Sequence, residues 1–97
     1  MIKYRGYQIA PAELEAIIME NPAVKDCAVV GIPEENLGEI PKAFIVKREG
    51  HTLSGEEIMA FVAERVAPYK KIRDVAFIRE IPKNQSGKIL RRILKVG

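Results

Sequence analysis

At 97 residues the chain has room for one domain and one modest core, and it is too short to enclose a deep active site. Its 47% apolar and 30% charged content describes a folded globular chain, not a disordered one, and no apolar run approaches the ~18 residues a membrane-spanning helix needs. The net charge of +3 hides a division: from Lys70 to Gly97 nine basic residues face only Asp74 and Glu80, whereas residues 1–69 hold seven basic and eleven acidic ones, so the last third is expected to seek phosphates, nucleic acid or an acidic partner.

In chain order, Ile2 to Ile9 alternates weakly and reads as an extended or hairpin segment with Gly6 at its turn. Pro11 suits a first helical turn, Glu13 and Glu15 favour its positive end, and Leu14, Ile17 and Ile18 form one apolar stripe that Asn21-Pro22 stops. Cys27–Val30 reads as a buried strand closed by Gly31-Ile32-Pro33, and Ala43–Val46 as a second, joined by an acidic surface loop from Glu34 to Pro41. Ser54-x-x-Glu57 is a capping box opening a helix with an Ile58, Phe61, Val62 and Val66 stripe, ended by Pro68. Val75–Ile78 is a third strand. Ile89, Leu90, Ile93 and Leu94 predict a short terminal helix, with Arg91, Arg92 and Lys95 facing outward. The fold class is therefore α+β: a small mixed sheet of about three strands plus the N-terminal extended or hairpin segment, flanked by about three helices.

Few residues carry chemistry on their own. Cys27 is the only cysteine, so no internal disulfide forms, which fits a reducing, intracellular compartment; its apolar setting marks it as buried and inert. His51 stands in a loop without a Cys or His at ligand spacing, which supports neither a metal site nor a catalytic dyad. Glu34-Glu35 and Glu56-Glu57 are better explained by a loop and a helix cap than by acid/base work. Phe44, Phe61 and Phe77 are assigned to the core.

The exception is Pro82-Lys83-Asn84-Gln85-Ser86-Gly87-Lys88. A phosphate loop would need glycine where Pro82 stands and Ser or Thr where Ile89 stands, so that reading fails twice. What survives is a lysine on a Ser-Gly turn, presented to something anionic.

Pro82-Lys83-x-x-Ser86-Gly87-Lys88-Ile89-x-Arg91-Arg92 resembles the C-terminal signature of adenylate-forming enzymes, the superfamily of acyl-CoA synthetases, luciferases and peptide-synthetase adenylation domains. Ile2–Glu15 is similar to the motif opening the small C-terminal domain of 4-coumarate–CoA ligases and beetle luciferases. Val29-Val30-Gly31-Ile32-Pro33, Gly38-Glu39-x-Pro41-x-Ala43-Phe44 and Pro68-Tyr69-Lys70-Lys71-Ile72-Arg73 extend the likeness over nearly the whole chain. The ending Ser86–Arg92 resembles CoA ligases more than peptide-synthetase domains.

The resemblance implies that residues 1–97 are the C-terminal lid domain of an ATP-dependent acyl- or aryl-CoA synthetase, with a large N-terminal domain of the same enzyme as partner. ATP, Mg2+ and CoA would be used by the full-length enzyme, and none bound by this segment alone. Lys88 would be the adenylation lysine, neutralising charge as a carboxylate attacks the α-phosphate of ATP. Lys3, also assigned a catalytic role, and Gln8 match positions facing the active site in a second, thioester-forming orientation of the domain. Gly6 would admit the pantetheine arm, and Lys70 matches a CoA-phosphate contact. Lys71, Arg91 and Arg92 are weaker candidates, read as a solvated cationic face. The chain opens directly into ordered structure and lacks the family's hinge residue and large domain, so it is expected to be a fragment that does not catalyse alone.

Two rival readings follow from the same residues. A luciferase-type enzyme shares the opening motif. A free-standing basic module would use Lys70–Lys95 on nucleic acid or an acidic protein, although only Tyr69 and Phe77 could stack on bases there. The acid substrate is not legible, and cytoplasm and peroxisome stay open, since Lys95-Val96-Gly97 is no peroxisomal signal.

Overall fold

The computed structural model describes residues 1–96. The chain order is β1 (Ile2–Tyr4), β2 (Tyr7–Ile9), α1 (Pro11–Ile18), β3 (Val24–Glu34), β4 (Gly38–Lys47), α2 (Gly55–Ala63), a 3₁₀ turn at Pro68–Lys70, β5 (Asp74–Phe77) and α3 (Arg91–Val96). The predicted α+β class holds: three strands and an N-terminal hairpin join into one five-stranded mixed sheet.

A long β3–β4 ribbon is its spine. The antiparallel ladder runs from Val24↔Lys47 to Glu34↔Gly38, with one irregularity between Val24 and Asp26. The sequence predicts only the middle of each strand and a loop from Glu34 to Pro41. The loop is instead a tight turn: Asn36 (φ 74°) and Gly38 (φ 84°) take left-handed backbone, letting both strands run on to Glu34 and Gly38. The pattern obscured this because Gly31, Pro33 and Pro41 read as breakers, yet all three sit within the ladder.

Opposite β3, the other edge of β4 is shared. β5 pairs with it in parallel from Lys42↔Asp74 to Ile45↔Phe77, and β1 meets it at Tyr4↔Gly38. β1 and β2 form the predicted hairpin, turning through Arg5 (φ 48°) and Gly6 (φ 86°). Two successive positive φ values match the twist of the flanking strands, and Gly6 meets that demand without steric cost.

Both faces of the sheet are buried, which explains the near-continuous apolar runs in β3 and β4. Cys27, Val29, Ala43 and Ile45 pack with Leu14 and Ile18 of α1 and Ile58 and Val62 of α2. Ala28, Val30, Phe44 and Val46 pack on the other face with Ile81 and Leu94. The capping box forms as predicted: Glu57 N–H donates to Ser54 Oγ (3.1 Å) and Ser54 N–H to Glu57 Oε1 (2.9 Å). α2 ends at Ala63, before Pro68, which opens the 3₁₀ turn instead.

Three readings need correction. Phe77 is 38% exposed, with the Lys47 ammonium 5.0 Å from its ring centre, because β5 lies at the rim of the sheet. Ile93 is 54% exposed; α3 starts only at Arg91, so its short inward face is left to Leu94. Arg91, expected in solvent, turns inward. Its Nη2 donates to both Glu15 carboxylate oxygens at 2.7 Å and its Nε to the Val29 carbonyl at 3.1 Å. Glu15 in turn accepts from Val29 N–H at 2.8 Å. β3 ends the sheet on its side, so this pair occupies backbone groups on an edge that would otherwise invite another strand.

Candidate functional site

The predicted site residues fall into two groups. Lys88 closes a hairpin whose stem is the antiparallel bridge Lys83↔Ile89. Asn84 N–H donates to the Lys88 carbonyl at 2.9 Å. The Asn84 side-chain oxygen accepts three bonds: from Ser86 N–H (3.0 Å), Ser86 Oγ (2.8 Å) and Lys88 N–H (2.9 Å). Gly87 supplies the left-handed residue (φ 86°) that completes the loop. Residues 83–88 are all exposed, so the turn is shaped from within and not by burial. Among the described residues the Lys88 ammonium has no hydrogen-bond or ion-pair partner.

Its neighbours differ. Lys83 bonds Asp26 at 2.6 Å, Arg91 is paired with Glu15, and Lys95 lies 3.7 Å from Glu39. Lys70 donates to both oxygens of Glu13, at 2.8 and 3.1 Å, a hydrogen bond that holds its pKa above the usual lysine value. The basic third is thus partly neutralised by the acidic remainder. A shallow groove of about 640 Å³ beside the hairpin root mixes Lys25, Arg79 and Lys83 with Asp26 and Glu80.

The second group lies on the N-terminal hairpin. Lys3 and Gln8 are direct cross-strand partners, so their side chains leave the same face, opposite Ile2 and Ile9, which enter the core. Both are exposed, and Gly6 is exposed at the turn. Tyr7, on the core-side parity, stacks on Tyr69 with ring centres 4.2 Å apart. Lys70 is next to that stack, its ammonium 5.7 Å from the Tyr69 ring.

The two groups are rooted at different places on the ribbon. The Lys88 hairpin is rooted at Asp26, whereas β1 meets the ribbon at Gly38, across from Glu34. Eight residues along β3 separate those roots, about 26 Å at ~3.3 Å per residue. Among the described residues no hydrogen bond joins Lys88 to Lys3 or Gln8.

Residues 13–88 match the family described as the AMP-binding enzyme C-terminal domain. The chain belongs to this family. It is 55% identical over 94 residues to 4-coumarate–CoA ligase-like 4 of Oryza sativa subsp. japonica, and 54% identical over 94 residues to peroxisomal OPC-8:0-CoA ligase 1 of Arabidopsis thaliana. Each match takes in 97% of this chain and 17% of the relative, so the chain spans about a sixth of those proteins. In structure it is similar to a Mycobacterium tuberculosis fatty acyl CoA synthetase: TM-score 0.90, 38% identity, 99% of this chain and 19% of the other. An anthranilate CoA ligase solved with anthranoyl-AMP gives TM-score 0.88 at 35% identity, over 99% of this chain and 19% of that one.

For the AMP-binding C-terminal domain, sequence reasoning missed three residues that organise the candidate groups. Asn84 was hidden inside the motif, although an Asn ahead of Ser-Gly is a turn signal. Tyr7 carries no local signal, since its stacking partner Tyr69 is distant in sequence. Glu39 was noted as part of a motif without a role. Its Oε1 accepts from Lys3 N–H at 3.0 Å across 36 residues, a contact no local pattern predicts. No helix is long and apolar enough to cross a membrane among the described residues.

Proposed function

We propose that residues 1–97 are the mobile C-terminal domain of an ATP-dependent acyl- or aryl-CoA synthetase, working against a large N-terminal domain of the same enzyme. In the first step a substrate carboxylate oxygen attacks the α-phosphorus of ATP; acyl-AMP forms and pyrophosphate leaves. Negative charge builds on the phosphoryl oxygens, and a positioned cation lowers that barrier. In the second step the CoA sulfur attacks the acyl carbonyl and AMP leaves.

The observation that carries this reading is the Lys88 ammonium. It stands on a closed, self-bonded turn and, among the described residues, has no carboxylate partner, whereas Lys70, Lys83, Arg91 and Lys95 of the same third each face one. Lys71, Arg73, Arg79 and Arg92 are likewise without a carboxylate, but none of them sits on such a turn. A charge held out in this way is available to a phosphate brought up by domain closure. Lys3 and Gln8, on a face about 26 Å from the Lys88 root by strand count, serve the second step, which requires the domain to turn between steps. Gly6, at the turn of that hairpin, leaves room for the pantetheine arm, and Lys70, beside the Tyr7–Tyr69 stack on the hairpin's other side, exchanges Glu13 for a CoA phosphate. Mg2+ enters with ATP; among the described residues no three His, Cys, Asp or Glu side chains gather to hold it.

The test is made in the full-length enzyme. Lys88→Ala is expected to lower pyrophosphate release from acid and ATP by roughly a hundredfold or more, a loss on the scale of one preorganised transition-state contact. Thioester formation from supplied acyl-AMP and CoA should stay within about twofold. Equal loss in both steps contradicts the role. A luciferase-type enzyme would share the first step and fail to release acyl-CoA in the second.

A further inference from the structure

The N-terminal hairpin is anchored in the core by Ile2 and Ile9, but few backbone bonds fix it along β4. β1 has one ladder pair with β4, Tyr4↔Gly38, supplemented by Arg5 N–H donating to the Leu37 carbonyl at 2.9 Å. The Lys3 amide reaches past that ladder and donates to Glu39 Oε1 at 3.0 Å. The other Glu39 oxygen lies 3.7 Å from the Lys95 ammonium on α3. A single carboxylate therefore ties the backbone of Lys3 to β4 and to the terminal helix.

Gly31 makes room for it. A methyl group built at Gly31 would sit 2.9 Å from both the carboxyl carbon and Oε2 of Glu39. Gly31 does not need a left-handed backbone, so its lack of a side chain is explained by this passage of the carboxylate and not by a turn. Two features the sequence analysis noted separately, Gly31 beside Ile32-Pro33 and Glu39 after Gly38, are two halves of one contact.

We infer that Glu39, seated over Gly31, is a positioning residue for the thioester-forming face: it fixes β1 so that Lys3 and its cross-strand partner Gln8 are presented together. This rests on the proposed role of Lys3 and Gln8. Glu39 touches backbone and Lys95, not the reacting atoms, so it acts through the strand it holds. Its effect should fall on the second half-reaction and leave the first, carried by the separately rooted Lys88 hairpin, untouched. A merely stabilising carboxylate would weaken both.

The test uses the full-length enzyme and measures both half-reactions on purified, folded protein. Glu39→Ala is expected to slow thioester formation from supplied acyl-AMP and CoA by about tenfold, with pyrophosphate release within about twofold. Glu39→Gln keeps the acceptor for the Lys3 amide and should restore most of that loss. Gly31→Ala is the second variant: the group it displaces is the end of a flexible side chain, so the fold should survive while the carboxylate is pushed off Lys3. It should show the same one-sided loss, smaller in size. Unchanged thioester formation in Glu39→Ala and Gly31→Ala overturns the inference, as does a parallel fall in both half-reactions. Lys3→Ala, run alongside, separates the two levels. If it leaves the second step intact, the role of this face is wrong; if it lowers that step while Glu39→Ala does not, only the positioning role is wrong.

Discussion

The two ends of the β3–β4 ribbon present lysines in different ways. At the Asp26 end, Lys88 rides on an exposed turn whose shape comes from one asparagine side chain bonding three groups within five residues. At the Gly38 end, Lys3 is part of a hairpin whose paired residues Ile2 and Ile9 are buried in the core, and its amide is held by a carboxylate 36 residues away. The first arrangement can be pushed into another domain without disturbing the sheet. The second presents a flat pair of side chains fixed to it. Under the function proposed above, the two steps would use the two ends in turn, and turning the whole domain would exchange one for the other.

The largest expected effect comes from cutting what joins the ends to the body. Arg91 is three residues beyond Lys88 and its guanidinium is bonded to Glu15 and Val29, with only 13% of the Glu15 side chain exposed. Arg91→Ala leaves a largely buried carboxylate unpaired, at a cost of about 2–4 kcal/mol. The domain should melt roughly 10 °C lower or more, by calorimetry or circular dichroism. A shift under about 3 °C would mean that the pair does not hold the terminal segment.

A smaller and one-sided effect should follow from loosening the Lys88 turn alone. All three groups facing the Asn84 oxygen are donors, so an acceptor is all the turn requires. Asn84→Leu should slow pyrophosphate release about threefold to tenfold while leaving melting nearly unchanged. Asn84→Asp, which keeps the acceptor, should preserve the turn, checked by the Lys88 amide shift in an NMR spectrum. Equal loss in the two half-reactions for Asn84→Leu would erase the contrast between the ends.

The smallest effect concerns the body between them. Burial, with help from Glu15 and Asp26, pushes the Cys27 thiol up to about 12 from 9.0. The neutral thiol is the form the fold accommodates, so its contribution is complete below pH 9 and is lost as pH rises towards 12. Lys70 acts in the same direction, since its raised pKa makes the folded state hold the proton at pH values where the unfolded chain releases it. Melting temperature should therefore decline above pH 9, and Cys27→Ala should decline less steeply. An identical slope in both proteins would remove the thiol from the explanation.

Much of the body was legible because its signals are local. The Ser54–Glu57 box, the Pro11 start of α1 and the buried runs of β3 and β4 each follow from neighbours a few residues apart. The family motifs pointed to Lys88, Lys3 and Gln8, all three exposed in the structure. Simple alternation along residues 2–9, however, puts Lys3 and Gln8 on opposite parities; the two-residue turn at Arg5-Gly6 is what returns them to one face. What stayed hidden depends on distance. Arg91 meets Glu15 across 76 residues and Glu39 meets Lys3 across 36, and a count of charges along the chain cannot tell a paired cation from a free one. The basic surface predicted for the last third is for that reason reduced, with Lys70, Lys83, Arg91 and Lys95 each facing a carboxylate.

The most direct test of the central claim is a crossed measurement in the full-length enzyme. Pyrophosphate release from acid and ATP, and acyl-CoA release from supplied acyl-AMP, would be followed by rapid quench in Lys88→Ala, Lys3→Ala and Gln8→Ala. Two separate faces predict a crossed pattern: Lys88→Ala loses only the first step, and the other two lose only the second, by about tenfold each. If all three variants slow the same step, the lysines serve one site together, and the division of labour between the two ends is wrong.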